Sequence, residues 1–120
     1  MKPNSRACIA YIAGRILSGR SSSSVFDYSR SKHISVDGEI SANSVNVFDY
    51  DRSCYISGDW DGSKFSLFDY GESNFIDLEI EGNTFKGFDY GTSAFFDGKV
   101  NDKSISLFDY GASTFFDYSL

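Results

Sequence analysis

The tripeptide Phe-Asp-Tyr occurs five times in this chain of 120 residues, and its copies are almost evenly spaced. The Phe residues stand at positions 26, 48, 68, 88 and 108, so successive copies are 22, 20, 20 and 20 residues apart. Such a period is typical of folds in which one small unit recurs, and it predicts a single repeat domain over residues 1–120. The structural repeat comprises Phe26, Asp27, Tyr28, Phe48, Asp49, Tyr50, Phe68, Asp69, Tyr70, Phe88, Asp89, Tyr90, Phe108, Asp109 and Tyr110.

The similarity between units extends beyond the tripeptide and indicates β-structure. A Ser lies three residues after each Tyr, an aromatic residue or His33 lies two residues after that Ser, and a turn follows near Gly62 or Gly82. Phe and Tyr number 12 and 8 whereas Leu numbers five, which favours strands over helices. Residues 11–16 resemble residues 55–60, so the N-terminal stretch is expected to be the back half of a further unit.

Alternating side chains divide each unit into an inner and an outer face. Ile76, Leu78 and Ile80 share one face and are expected to be buried, whereas Phe75 and Asp77 share the other. One buried face per strand suits an all-β parallel solenoid of about five to six coils, each of 20–22 residues, and this is the preferred interpretation. An antiparallel β-meander or barrel of 20-residue hairpins is the alternative, since it gives the same period.

The Asp of the repeat argues for the alternative. In a solenoid, Asp49, Asp69 and Asp89 would stack about 4.8 Å apart. Two carboxylates at that distance repel by roughly 0.9 kcal/mol even at the dielectric constant of water. A solenoid tolerates this only if each carboxylate accepts hydrogen bonds from the backbone of the following turn. In a meander, equivalent residues lie two strands apart and the repulsion is avoided.

A shorter rhythm runs inside the repeat, because every fifth residue from Tyr50 to Leu120 is large and apolar. Residues 73–75 and 93–95 match the small-polar-large unit of pentapeptide-repeat proteins, and in this region the chain resembles that family. The resemblance implies a square solenoid with four five-residue faces in each coil. Phe68 departs from the pattern, since it occupies a position that is small in that family.

Nearly every polar residue has a counterpart in the neighbouring units, which is a pattern of architecture rather than of catalysis. His33 is the one histidine, and it occupies a position that Tyr or Phe holds in the other units. We interpret it as a substitute ring rather than as a base or a metal ligand. The spacings typical of zinc sites and the nonapeptide of calcium-binding β-rolls are both missing. We therefore predict no catalytic residues, no metal site, no cofactor and no enzymatic activity.

An aromatic residue on the outer face of each unit is the main candidate for function. These residues are expected to form an exposed column that stabilises the sheet or contacts a partner. The repeated Ser is interpreted instead as a hydroxyl that satisfies backbone groups beside a turn. The expected interaction surface consists of Tyr55, Phe75, Phe95 and Phe115.

The net charge of −6 is unevenly distributed along the chain. Residues 1–32 contain six basic side chains and one acid, whereas residues 33–120 contain 16 acids and five bases. The acidic part disfavours direct binding to nucleic acid, and oppositely charged, uncapped ends predict association between copies. Cys8 and Cys54 are interpreted as free thiols, which favours a cytoplasmic location while leaving secretion open. No stretch is apolar enough for a membrane span.

These observations predict a non-enzymatic β-repeat protein that serves as a structural scaffold or protein-interaction surface and forms homo-oligomers. Two alternatives stay open. Rows of Tyr and Phe flanked by Asp and Ser suit a module that binds glycans. Regularly spaced acids suit an acidic partner of a nucleic-acid-binding protein, by analogy with DNA-mimicking pentapeptide-repeat solenoids.

Overall fold

The computed structural model describes all residues 1–120 and contains one helix followed by ten strands. The helix, α1, spans Pro3–Ser18. No helix of the protein combines the length and apolarity that a membrane crossing requires. The strands form a closed antiparallel barrel, in which the last strand pairs with the first. They are β1 (Ser24–Asp27), β2 (Lys32–Ile40), β3 (Ser44–Asp49), β4 (Cys54–Trp60), β5 (Phe65–Asp69), β6 (Asn74–Glu81), β7 (Thr84–Asp89), β8 (Ala94–Asn101), β9 (Ser104–Asp109) and β10 (Thr114–Ser119).

Each repeat unit contributes one hairpin to the barrel, which confirms the all-β prediction and the alternative architecture. The preferred parallel solenoid is wrong, because neighbouring strands run antiparallel throughout. The Phe and Asp of each tripeptide end strands β1, β3, β5, β7 and β9, and the Tyr begins the turn that follows. Equivalent Asp residues are thus two strands, or about 9.6 Å, apart, which relieves the repulsion of direct stacking. The square solenoid implied by the resemblance to pentapeptide-repeat proteins is also wrong, because the strands form a closed antiparallel barrel.

The N-terminal stretch is the helix α1 and not a partial repeat unit, so that prediction is wrong. Residues 4–14 are all buried inside the barrel, where the small side chains of Ala7 and Ala10 let the wall approach the helix. A helix that is covered on every side needs no polar face, so the sequence lacks the amphipathic pattern of a surface helix. Pro3 stands in the first turn, where its missing N–H is not needed, and Gly19 ends the helix at φ 70°.

The inner side chains of the strands pack around α1 and form the core. Leu78 is fully buried, which confirms the inner face predicted for its strand. The fit is close where β7 and β8 meet, because Phe85 lies opposite Gly98 and Phe96 lies opposite Gly87. A Cβ on either Gly would lie 2.5 Å from a carbon of the facing ring. Each Phe ring therefore occupies the space that a side chain on the neighbouring strand would need.

The repeated Ser residues share a backbone conformation. Their φ angles lie between 49° and 56°, in the left-handed region that most residues avoid. Backbone N–H groups of each turn donate to the Asp side chain of the preceding tripeptide, as Gly91 N–H does to Asp89 Oδ1 at 2.9 Å. The Asp carboxylates, and not the Ser hydroxyls as predicted, therefore accept these backbone hydrogen bonds. The Ser residues contribute the left-handed backbone conformation of the turn. The residues are Ser31, Ser53, Ser73, Ser93 and Ser113.

Candidate binding surface

The five repeat Asp side chains point into the barrel and form a ring of carboxylates near the start of α1. Each is at most 2% exposed, and one oxygen of each accepts the backbone N–H two residues further on, as Asp69 does from Gly71 at 2.9 Å. This is the capping arrangement expected for the corner of each unit. We refer to these side chains as the carboxylate ring, and its members are Asp27, Asp49, Asp69, Asp89 and Asp109.

Basic side chains from α1 and from the turns pair with four of the five members of the carboxylate ring, and Asp89 accepts hydrogen bonds from Asn74 and Thr92 instead. Arg6 Nη1 lies 3.2 Å from Asp109 Oδ2. Arg52 bridges two members, with its Nε 2.6 Å from Asp49 and its Nη1 3.1 Å from Asp69. The start of a helix carries a partial positive charge, which adds to the attraction. The ring is thus occupied by contacts that hold the helix in the barrel, and it offers no open site for a ligand.

Several of the basic residues near the N-terminus form ion pairs with acids of the barrel. Arg6 and Arg30 pair with members of the carboxylate ring, and Arg20 pairs with an acid in a rim turn. Burial raises the pKa of Asp27, but hydrogen bonds from Ser29 and Arg30 lower it by more, so the net shift is downward.

Two premises of the sequence-based hypotheses are therefore missing from the folded molecule. Pairing of β1 with β10 leaves no uncapped sheet edge at which copies could associate. Burial of the carboxylate ring removes the five tripeptide Asp residues from the surface acids that suggested a DNA mimic. The candidate surface that remains is the outer face of the barrel.

The Phe and Tyr of each tripeptide lie on that outer face. Each Phe packs edge-to-face against its own Tyr and against the ring opposite it on the next strand, with centroids 4.7–4.9 Å apart. His33 supplies that ring in the first unit, which confirms its interpretation as a substitute ring. Five such triads encircle the barrel, and we call them the aromatic band. They are Phe26–Tyr28–His33, Phe48–Tyr50–Tyr55, Phe68–Tyr70–Phe75, Phe88–Tyr90–Phe95 and Phe108–Tyr110–Phe115.

The four residues named from the sequence as an interaction surface, Tyr55, Phe75, Phe95 and Phe115, are outer members of four triads and are 49–65% exposed. The structure brings them together with the five tripeptide Tyr residues, which are 53–59% exposed and which the sequence pattern had marked only as structural repeat. The alternation of side chains along the strand already indicates that the tripeptide Phe lies on the outer face. If Phe65 and Leu67 face inwards, alternation places Phe68 outside and Asp69 inside.

On the wall formed by β6–β9 the aromatic band borders a groove of about 690 Å³. Tyr90 and Tyr110 line it, and their hydroxyls donate to Asp77 and Asp97, both at 2.7 Å. These hydrogen bonds and the negative charge of the carboxylates raise the pKa of both Tyr residues. Lys64 Nζ lies 3.2 Å from Asp77 Oδ2. The groove thus combines anchored rings with charged groups of both signs.

Comparison of the chain with protein-family models, with curated proteins and with solved structures finds no match. A barrel as such is compatible with many functions, so an argument for function has to start from particular side chains. The surface feature that differs most from an ordinary soluble protein is the aromatic band.

Proposed function

We propose that the protein is a non-enzymatic interaction module, in which the barrel is a rigid scaffold and the aromatic band is the contact surface, first of all for other copies of the same chain. The observation that carries this proposal is the exposure of nine large aromatic side chains, each at 49–65%, on one belt around the barrel. Contiguous apolar surface of this kind marks interaction sites on soluble proteins.

The construction of the band supports this role. Each ring has few rotatable bonds and is held by a neighbouring ring, so little conformational entropy is lost when a partner covers it. The outer rings present faces and edges that can pack edge-to-face with rings of another molecule. Because the same triad recurs five times, one copy offers another copy a surface of its own kind, as symmetric assemblies require.

The charge of the protein sets the conditions under which association is expected. The net charge is −6, so copies of the chain repel one another at low salt. Repulsion between copies is screened as salt is added, whereas apolar contact between rings is not weakened. Association through the band should therefore increase with ionic strength.

Sedimentation velocity over 5–500 µM protein in low and high salt, a range chosen to cover roughly millimolar to micromolar dissociation constants, tests the proposal. We expect concentration-dependent association that is stronger in high salt. A variant with Tyr28→Thr, Tyr50→Thr and Tyr70→Thr should stay monomeric over the same range. These three rings are 58–59% exposed, so their loss leaves the core intact.

The matched control replaces three exposed Ser residues on the polar part of the wall with Thr, at Ser35, Ser44 and Ser104. This variant should associate as the unaltered protein does. A protein that remains monomeric throughout, or an association that survives loss of the three Tyr rings, would refute the proposal.

A further inference from the structure

The wall formed by β6–β9 differs from the rest of the aromatic band in how its Tyr residues are held. Tyr90 and Tyr110 are anchored by hydrogen bonds of 2.7 Å to Asp77 and Asp97. In the second unit the corresponding carboxylate, Asp37, accepts a hydrogen bond from the backbone N–H of Gly38 instead. A ring that is fixed before its ligand arrives loses less entropy on binding, so this wall is prepared for contact in a way that the others are not.

The polar groups of the groove are mixed in sign. Asp77, Glu79 and Asp97 supply acceptors, and Lys64 and Lys86 supply donors. These three acids and two bases leave only a small excess of negative charge, which is less than a highly charged ligand such as a basic peptide would need, and of the wrong sign for a phosphate or a polyacid. Hydroxyl groups both donate and accept hydrogen bonds, so a ligand rich in hydroxyls can use both kinds of group at once.

The spacing between equivalent side chains along the groove favours a ligand that is itself a chain of repeated polar units. Asp77 and Asp97 occupy equivalent positions on β6 and β8, two strands or about 9.6 Å apart. That separation is comparable to two sugar residues in an extended saccharide. The exposed side chains of Tyr90 and Tyr110 repeat at the same interval, since they occupy equivalent positions in successive units, and each packs edge-to-face against the Phe of its own tripeptide. An extended peptide is disfavoured, because the closed barrel has no strand edge to which it could add.

From these features we propose that the groove on the β6–β9 wall is a binding site for a neutral saccharide chain. The sugar rings stack on Tyr90 and Tyr110, and their hydroxyls bond to Asp77, Asp97 and the two Lys side chains. This inference rests on the proposed role of the aromatic band as the contact surface. It assigns the β6–β9 part of the band to a neutral saccharide chain. Sites of this kind combine apolar surface with a few well-placed polar groups.

The test is titration of the ¹⁵N-labelled full chain with soluble neutral hexasaccharides, namely cello-, chito-, xylo- and mannohexaose, followed by amide chemical shifts. We expect at least one of them to shift resonances of β6–β9 selectively. Tyr110→Ala should weaken that binding about tenfold, the loss typical of one stacked ring. Asp97→Ala should weaken it similarly, because it removes both an acceptor for the sugar and the anchor of Tyr110.

The control is Asp37→Ala, which removes an outward-facing carboxylate on the opposite side of the barrel and should leave saccharide binding unchanged. Thermal unfolding of each variant verifies that the barrel is intact. The inference is overturned if none of the four hexasaccharides binds at millimolar concentration, or if the shifted resonances lie outside β6–β9. It is also overturned if Tyr50→Ala weakens binding as much as Tyr110→Ala does.

These outcomes are separable from failure of the proposed function. If no saccharide binds but the protein associates through the band in sedimentation experiments, only the ligand assignment is wrong. If saccharide binding is localised to the groove and the protein is monomeric, the band acts on ligands rather than on copies of the chain, and the self-association part of the proposed function is wrong.

Discussion

Single positions in the turns show how the repeat combines strain with capping. The Ser at the end of each tripeptide turn has a left-handed backbone, which is unfavourable by about 1–2 kcal/mol for a residue with a Cβ. The Asp of the tripeptide compensates by accepting the N–H groups of the same turn, as Asp109 does from Gly111 at 3.0 Å. The turn is therefore held by the carboxylate, and the Ser is tolerated because its side chain is short.

The strain at this position can be removed by substitution. Ser113 has a φ of 53°, which Gly adopts freely. We expect Ser113→Gly to raise the free energy of unfolding by up to about 1 kcal/mol, after allowance for the greater entropy of Gly in the unfolded chain. Ser113→Val should lower it, because a branched side chain fits this region poorly. Urea denaturation of both variants measures the difference, and a stabilising Val would contradict the explanation.

Among the elements, α1 depends most on its surroundings. It is 16 residues long and has no acidic residue in its first turn, so the negative charge that complements its start comes from the carboxylate ring. Ser5 donates its hydroxyl hydrogen to Asp69, and Asn4 Nδ2 lies 3.1 Å from Asp49. The start of the helix is therefore joined to the barrel wall by several polar contacts, the middle mainly by apolar packing, and Tyr11 and Arg15 donate to backbone carbonyl groups further along.

Replacing Arg52, which bridges two members of the carboxylate ring, tests how much these polar contacts contribute to stability. Arg52 pairs with Asp49 and Asp69, both fully buried. Arg52→Gln leaves two buried carboxylates with less compensation and should lower the free energy of unfolding by about 3–5 kcal/mol.

The matched comparison is Arg20→Gln, which breaks an ion pair between two well-exposed side chains. That change should alter stability by less than about 1 kcal/mol. Chemical denaturation of both variants decides the point. Equal effects would mean that the carboxylate ring does not depend on its cations.

At the scale of the whole molecule, Asp27 of the carboxylate ring makes the free energy of unfolding depend on pH. The pKa of Asp27 in the folded protein is lowered on balance, chiefly because hydrogen bonds from Ser29 and Arg30 outweigh the opposing effect of burial. A lowered folded pKa means that the stabilisation is fully present above the unfolded pKa, near 3.9. It is lost as the pH falls through the folded value.

Asp27→Asn should therefore be less stable than the unaltered protein at pH 7, by about 1.5–3 kcal/mol for the lost charged hydrogen bonds. The difference should shrink as the pH is lowered from about 4 to 2. Urea unfolding at several pH values measures this convergence. Asp37→Asn, which alters an exposed carboxylate on a strand, should follow the unaltered protein at every pH.

The sequence was sufficient to predict strands, their inner faces and the position of the turns, because alternation at Ile76 and Leu78 is a local property. The choice between solenoid and barrel depended on contacts between units, for which the repulsion of stacked Asp residues was the one physical indication. The helix was missed because a fully enclosed helix has no polar face to reveal it. The groove depends on a hydrogen bond between Tyr110, which follows β9, and Asp97 on the neighbouring strand β8, and the sequence alone does not show this contact.

The seam between β1 and β10 consists of two registered residue pairs, Phe26 with Ser119 and Asp27 with Tyr118. Its partners are separated by more than 90 positions in the chain (119 − 26 = 93 and 118 − 27 = 91). Such distant contacts form late in folding, because a long loop must close before they yield any stabilisation. During synthesis α1 emerges before every strand, but the barrel cannot enclose it until the last hairpin has been made. The nascent chain thus carries an uncovered apolar segment through most of its translation, and this interval is when it is most exposed to misassembly.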